Sequence, residues 1–153
     1  MALKNFEEII QFAIKREEDA IRTYGEMAEK TNMPGLKKLL IDLQSEEKNH
    51  KKMLENISQE KLKSYEVKKV PDLKITDYLL EEPIEPEMNF QELLIYAAKK
   101  EQRAADLYSE LASQAQDDDM KKTFEFMVQQ EKSHKLKLEK EYEDHVLDEG
   151  WVK

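Results

Sequence analysis

The chain has 153 residues, of which 39% are charged, and its formal net charge is −9 at pH 7. Glycine and proline are scarce and the composition is typical of long amphipathic helices, so we expect one helical domain over residues 1–153. The negative charge argues against nucleic acid as a partner, and the absence of cysteine excludes disulfides, thiolate zinc sites and cysteine-held iron–sulfur clusters.

Helical periodicity predicts four helices, over about 5–30, 36–64, 89–114 and 120–147. Asn5 and Asn89 each precede an acidic residue by three positions, which resembles a capping box at the start of the first and third helices. Thr31–Gly35 and Gln116–Asp119 interrupt the periodicity, so each is expected to form the turn of a helical hairpin. This order predicts two antiparallel hairpins.

Residues 65–88 join the two hairpins and differ from them in composition. Three prolines lie there, together with a short apolar patch over 70–80. A loop of this length is uncommon inside a compact domain unless it has a task. We expect it to cross from one end of a helical bundle to the other, with the apolar patch docked on the outside.

The two hairpins are copies of one pattern. Phe12–Ala28 aligns with Tyr96–Ala112 at an offset of 84 residues, which places Glu17 on Glu101. Continued without a gap, the same offset places a Glu-x-x-His motif in the second helix on another in the fourth helix. The repeated residues with metal-ligating side chains are Glu17, Glu47, His50, Glu101, Glu131 and His134.

The four repeated glutamates occupy positions where apolar residues should face the core. A buried carboxylate without a partner is strongly unfavourable, and four together repel one another. In the first hairpin, Glu17 lies 16 residues before a turn near residue 33 and Glu47 lies 14 residues after it, and the second hairpin repeats this spacing. In antiparallel hairpins all four glutamates therefore reach one level, roughly 24 or 21 Å from the turns. Each histidine follows its glutamate by three positions, so both side chains project from one helix face.

Four carboxylates and two imidazoles at one level predict a dinuclear metal site. Ferritin-like di-iron carboxylate proteins follow the same ligand rule, with one Glu from each of two helices and a Glu-x-x-His from each of the other two. Four carboxylates also neutralise two divalent ions, which removes the cost of their burial. By analogy with such sites, Glu17 and Glu101 are terminal ligands, Glu47 and Glu131 bridge the metals, and each histidine binds one metal.

Several neighbouring residues allow more than one interpretation. Tyr24 and Tyr108 lie two turns beyond the terminal glutamates, where they either donate hydrogen bonds to the ligands or simply belong to the core. Glu18 and Glu46 adjoin proposed ligands but lie off the inward stripe, so we expect them to be solvated. His145 has no counterpart in the first copy and is interpreted as a surface residue. A metal-free bundle with incidental acids is the alternative to the whole site.

With these residues in place, the sequence resembles the rubrerythrins of the ferritin-like superfamily. The resemblance covers nearly the whole chain and rests on segments 17–24 and 101–108, on both Glu-x-x-His motifs and on the connector at 72–79. It implies a four-helix bundle with one long crossover, a non-haem di-iron centre, reduction of hydrogen peroxide or dioxygen, and a homodimer. The chain departs from the family pattern because it has no cysteine-ligated rubredoxin domain, and because Ala104 stands where typical members carry an additional glutamate.

These patterns support one function and two alternatives. The first is a di-iron oxidoreductase in which an Fe(II) pair supplies two electrons to peroxide or dioxygen and an external electron donor restores them. The second is a ferritin-like protein that oxidises and stores iron, against which the lack of an obvious fifth helix argues. The third keeps the site with manganese or zinc as a structural metal, since oxygen and imidazole ligands accept both. Because no signal peptide or long apolar run occurs, we expect a cytoplasmic protein with no membrane partner.

Overall fold

The computed structural model of the protein describes residues 6–58, 88–115 and 117–145, and of His145 the backbone alone. Nearly all of this part of the chain is helical, and none of it forms a strand. The four helices are α1 (Phe6–Lys30), α2 (Pro34–Asn56), α3 (Phe90–Gln114) and α4 (Asp118–His145). The predicted all-α, ferritin-like four-helix bundle is confirmed.

The helices pack as two hairpins. α1 packs along α2, and α3 packs along α4, over most of their lengths. Contacts between the hairpins are fewer and run mainly between α1 and α3 and between α2 and α4. The two hairpins therefore contact each other through fewer side chains than the two helices within each hairpin do.

Two apolar clusters fill the interior. The first combines the beginnings of α1 and α4 with the ends of α2 and α3, and its fully buried members include Ile9, Ile10, Leu54, Leu107, Leu111 and Phe124. The second combines the opposite ends of the same helices and includes Tyr24, Met27, Leu40, Leu43, Leu94 and Leu138. Each fully buried Leu, Ile or Phe side chain stabilises the fold by about 1.5–3 kcal/mol relative to exposure. On every helix, the repeated Glu and His residues fall in sequence between the two clusters.

The helix starts match the predictions to within two residues. The capping box at Asn89 is present, since Asn89 Oδ1 accepts from the Glu92 N–H at 2.8 Å and Glu92 Oε1 accepts from the Asn89 N–H at 3.2 Å. α2 begins at Pro34, two residues earlier than predicted, because proline is favoured at the first helical position. α4 also begins two residues early, at Asp118, where acidic side chains favour a helix N-terminus.

Some predictions fall outside the part of the chain that the structure describes. These are the Asn5 cap, the end of the second helix over 59–64, the crossover except for Met88, and residues 146–147 of the fourth helix. The assignment of residues 1–153 to one domain stays a prediction. Across the described ranges, no helix has the length and apolar character needed to cross a membrane.

Candidate metal centre

The structure brings all six repeated metal-ligating residues to one level of the bundle. They come one from α1, two from α2, one from α3 and two from α4, and none is more than 3% exposed. Helical spacing explains this, because each residue continues the inward stripe of its own helix between the two apolar clusters. All six metal-ligating side chains are therefore buried, as the sequence predicts.

The six residues form two overlapping groups. One group contains Glu17, Glu47, His50 and Glu131, and the other contains Glu47, Glu101, Glu131 and His134. Within each group, one potential ligand atom per residue lies within 4.8 Å of all the others. Glu47 and Glu131 belong to both groups, which is the placement expected of residues that bridge two metal positions.

Most of the buried polar atoms in these groups lack a hydrogen-bond partner. The unpaired atoms are Glu17 Oε2, Glu47 Oε1, His50 Nδ1, Glu101 Oε2, both carboxylate oxygens of Glu131, and His134 Nδ1. Some of them are close together, since His50 Nδ1 lies 2.8 Å from Glu131 Oε1 and 3.0 Å from Glu47 Oε1, but the angles do not make hydrogen bonds. Unpaired buried polar atoms are rare and costly, and cations bound between them would satisfy them. The residues therefore fit a metal site.

Burial is the largest cause of the raised pKa values of three glutamates in the cluster. Burial and the neighbouring Glu47 carboxylate raise the pKa of Glu17 well above its usual range, and the same two causes raise the pKa of Glu101. Burial, followed by the Glu101 and Glu47 carboxylates, raises the pKa of Glu131 well above its usual range. Without a cation, burial and mutual repulsion therefore favour the protonated form of these three carboxyl groups.

The two imidazoles lower the pKa of one carboxyl group, that of Glu47. Burial works to raise the pKa of Glu47, but contacts with the His134 and His50 imidazoles outweigh it and hold that pKa below its usual range. Burial also works to lower the pKa of His134, but the Glu101 and Glu47 carboxylates outweigh it and raise the pKa to about 10. The Glu101 and Glu47 carboxylates therefore favour the protonated form of His134, and a metal ion at Nδ1 would take the place of that proton.

Both tyrosines donate hydrogen bonds to the carboxylates. Tyr24 donates to Glu101 Oε1, and Tyr108 donates to Glu17 Oε1 at 2.5 Å, so each bond joins α1 to α3. Burial and the nearby carboxylates raise the pKa of both tyrosines well above the usual range, so each hydroxyl keeps its proton. Because each bond occupies Oε1, the unpaired Oε2 of each glutamate is left to face the cluster.

The outer nitrogens of the histidines have partners that the sequence interpretation did not identify. The Nε2–H of His134 donates to Glu46 Oε2 at 2.6 Å, and the Nε2–H of His50 donates to Gln130 Oε1. Glu46 was expected to be solvated, and this was wrong in part, because its side chain is only 36% exposed and reaches across to α4. The sequence did contain a signal, since Glu46 and Gln130 occupy matching positions directly before the two Glu-x-x-His motifs.

Glu18 behaves as the sequence interpretation expected. Its side chain is 47% exposed and forms an ion pair with Lys51 on α2, with 3.1 Å between Glu18 Oε2 and Lys51 Nζ. The two residues therefore contact solvent and each other and take no part in the cluster. The side chain of His145 lies outside the described part of the chain.

The two sides of the cluster differ in access. Between α2 and α4, the His50 and His134 rings stack with centroids 5.9 Å apart and planes 13° apart, and they cover that side. On the side of α1 and α3, a cavity of about 20 Å³ reaches the four glutamates. Its remaining lining residues are Arg16, Ala20, Lys100 and Ala104. A larger cavity of about 500 Å³ lies between α3 and α4 and shares no residue with the cluster.

Comparisons with known proteins give a family and a similar fold. Residues 8–146 match the family model described as Rubrerythrin. Among solved structures, the fold is similar to that of a hypothetical protein from Pyrococcus furiosus, with a TM-score of 0.72 and 26% sequence identity over 90% of this chain and 87% of that chain. A search of curated proteins gives no match.

Proposed function

Because the chain belongs to the rubrerythrin family, we propose that it is a non-haem di-iron oxidoreductase that reduces hydrogen peroxide or dioxygen. The observation that supports the proposal best is the doubled ligand set, in which two groups of four buried ligands share Glu47 and Glu131. A single metal ion would use only one of these groups. Two divalent ions would balance the charge of the four carboxylates, whose burial is otherwise unfavourable.

Each ligand has a role in this proposal. Glu17 and Glu101 would each hold one ion through Oε2, since a tyrosine hydroxyl occupies Oε1. Glu47 and Glu131 belong to both ligand groups and would be shared by the two ions, and His50 and His134 would each hold one ion through the unpaired Nδ1. Carboxylate and imidazole ligands suit iron in proteins, and the donor set contains no thiolate that would favour a softer metal.

The size of the cavity beside the cluster limits what can reach it. A cavity of about 20 Å³ has room for about one water-sized molecule. Hydrogen peroxide and dioxygen are near this size, whereas an organic substrate is excluded unless the helices move apart. Ala20 and Ala104 leave this space open, because longer side chains at their positions would fill it.

When bound, a pair of Fe(II) ions supplies the two electrons that convert hydrogen peroxide, with two protons, into two molecules of water. The protein holds the carboxylates in place through the tyrosine hydroxyls and holds the imidazoles through Glu46 and Gln130. Restoring the two electrons needs an external electron donor, either a separate protein or a small reductant. We also propose that the protein is cytoplasmic and forms a homodimer.

The test is an anaerobic titration of the metal-free protein with Fe(II), followed by rapid mixing with hydrogen peroxide or with dioxygen. Near-ultraviolet absorption of Fe(III) reports the oxidation. We expect two irons per chain and faster oxidation by peroxide than by dioxygen. Faster oxidation by dioxygen, with iron uptake continuing beyond two ions per chain, would support iron storage instead. Failure to bind two irons would leave a manganese, zinc or metal-free bundle.

A further inference from the structure

The two histidines of the cluster are hydrogen-bonded to chemically different partners. His134 donates to the carboxylate of Glu46, with 2.6 Å between Nε2 and Oε2, whereas His50 donates to the side-chain amide oxygen of Gln130. Glu46 and Gln130 are related by the same 84-residue offset that relates His50 to His134. The six ligands and the two tyrosines are identical between the copies, whereas the hydrogen-bond acceptors on the outer nitrogens of the two histidines differ in charge.

The two imidazoles are alike in burial and in ring orientation. Both rings are at most 1% exposed, and they stack nearly parallel. The Nδ1 atom of each ring faces carboxylate oxygens of the cluster and lacks a hydrogen bond, with the nearest oxygen at 2.8 Å from His50 and at 3.4 Å from His134. Burial and ring orientation therefore do not distinguish the two metal positions, and the acceptor on Nε2 does.

The nature of that acceptor changes the imidazole as a ligand. A hydrogen bond from Nε2–H to a carboxylate is charge-assisted and stronger than one to a neutral amide. It transfers more electron density to the ring and makes Nδ1 a stronger donor to a metal, and losing such a partner typically costs 10–100-fold in metal affinity. The side chain of Glu46 is 36% exposed to solvent, and it still contacts His134 Nε2 at 2.6 Å.

We infer that Glu46 and Gln130 make the two metal positions unequal, so that the group containing His134 binds a divalent cation before the group containing His50 and more tightly. Glu46 and Gln130 are positioning residues, because they act on the metals only through the histidines. The inference rests on the metal-binding part of the proposed function and not on its redox part. A redox-inert ion therefore tests it, and failure of peroxide reduction would leave it intact.

The experiment is a titration of the metal-free protein with Zn(II), followed by nuclear magnetic resonance of ¹⁵N-labelled histidine side chains. The chain has three histidines, so each ring is resolved and is assigned by single substitution. We expect the ring nitrogens of His134 to shift during the first equivalent of Zn(II) and those of His50 during the second. Simultaneous shifts of both rings below one equivalent would overturn the inference.

Substitutions separate this effect from a general loss of charge. Competition with a chelator should show that Glu46→Gln weakens the first Zn(II) step by about tenfold or more, so that the two steps merge. Gln130→Glu should strengthen the second step, and the double exchange E46Q/Q130E should reverse the order in which the histidines respond. The control is Glu125→Gln, which removes one charge from an exposed position on α4.

Two results would contradict the inference at the level of these variants. One is an unchanged binding order and affinity in Glu46→Gln. The other is an equal loss of affinity in Glu125→Gln, which would assign the effect to net charge alone. Circular dichroism checks that each variant is folded, and Gln130→Glu provides an independent test if Glu46→Gln does not fold.

Discussion

Tyr24 on α1 donates a hydrogen bond to Glu101 on α3, the glutamate of the other hairpin. In the opposite direction, Tyr108 on α3 donates a hydrogen bond to Glu17 on α1, at 2.5 Å. Each hairpin therefore supplies the hydroxyl that orients the terminal carboxylate of its partner hairpin. This exchange leaves one oxygen of each carboxylate without a hydrogen bond and facing the cluster.

Replacing Tyr24 by Phe should weaken metal binding in the group that contains Glu101. The free Glu101 carboxylate would lose its orienting donor, and we expect a loss of about tenfold in Zn(II) affinity for one of the two ions. The metal-free protein should also lose about 1–3 kcal/mol in free energy of unfolding, because a buried acceptor is left unpaired. Calorimetric titration and chemical denaturation measure the two effects.

The matched control for that substitution is Tyr142→Phe, which removes a hydroxyl from a tyrosine of α4 that lies outside the cluster. It should leave Zn(II) binding unchanged. Full affinity for both ions in Tyr24→Phe would show that the hydrogen bond does not position the ligand.

Replacing Glu47 or Glu131 by Ala should abolish binding of the metal pair, because each belongs to both ligand groups. Replacing Glu17 by Ala should be less severe and should leave one ion in the group that contains His134. Metal content after anaerobic loading with Fe(II) distinguishes these outcomes. Two ions per chain in Glu47→Ala would contradict the bridging role.

Replacing Ala104 by Leu should slow the oxidation of bound Fe(II) without removing the iron. The larger side chain would fill the cavity of about 20 Å³ that reaches the glutamates, and we expect the rate with hydrogen peroxide to fall by about tenfold or more. Overpacking at this buried position should also cost about 1–3 kcal/mol in free energy of unfolding. The measurement is rapid mixing of the iron-loaded variant with peroxide.

Ser109→Leu is the control for Ala104→Leu, since it adds the same side chain to an exposed position of α3. Its oxidation rate should equal that of the unmodified protein. An unchanged rate in Ala104→Leu would mean that the oxidant reaches the cluster by another route.

The stability of the metal-free protein should fall as pH rises above about 4.5 and passes through the raised pKa values of its buried glutamates. Burial raises the pKa values of Glu17, Glu101 and Glu131 in the folded protein above the ordinary value of 4.5. Their contribution to stability is therefore complete below about pH 4.5 and is lost as pH rises through the folded values. His134 has the same sign, with loss between 6.5 and about 10. The lowered pKa of Glu47 acts only below 4.5, outside this interval.

Bound metal should remove this dependence, because it replaces the retained protons. Thermal unfolding with and without Zn(II) should therefore show a stabilisation by metal that grows as pH rises. A metal-free protein that becomes more stable over the same interval would contradict the raised pKa values of the three glutamates.

Much of the fold and the cluster could be predicted because the same pattern of apolar, Glu and His residues occurs twice in the sequence. Glu17 and Glu101 stand out as acids within apolar stripes, and the repeat offset distinguishes the two Glu-x-x-His motifs from chance. Periodicity predicts the starts of α2 and α4 two residues late, because Pro34 and Asp118 are typical turn residues as well as favoured first helical residues.

The partners of the histidines could not be predicted in the same way. Glu46 precedes Glu47 on α2, so along its own helix it points away from the inward stripe and was interpreted as solvated. Its contact is with His134 on the other hairpin, and helical periodicity carries no information about which side chains meet across an interface. The tyrosine hydrogen bonds were left open for the same reason.

The crossed hydrogen bonds have a consequence for how the chain assembles. Within the described part of the chain, four side-chain hydrogen bonds around the cluster join the hairpins, namely Tyr24 to Glu101, Tyr108 to Glu17, His50 to Gln130 and His134 to Glu46. Apolar surfaces alone would tolerate a slide of one helical turn, about 5.4 Å, but such a slide would break all four bonds at once. The polar cluster thus sets the register of one hairpin against the other, and a half-chain fragment would expose donors and acceptors whose partners lie in the missing half.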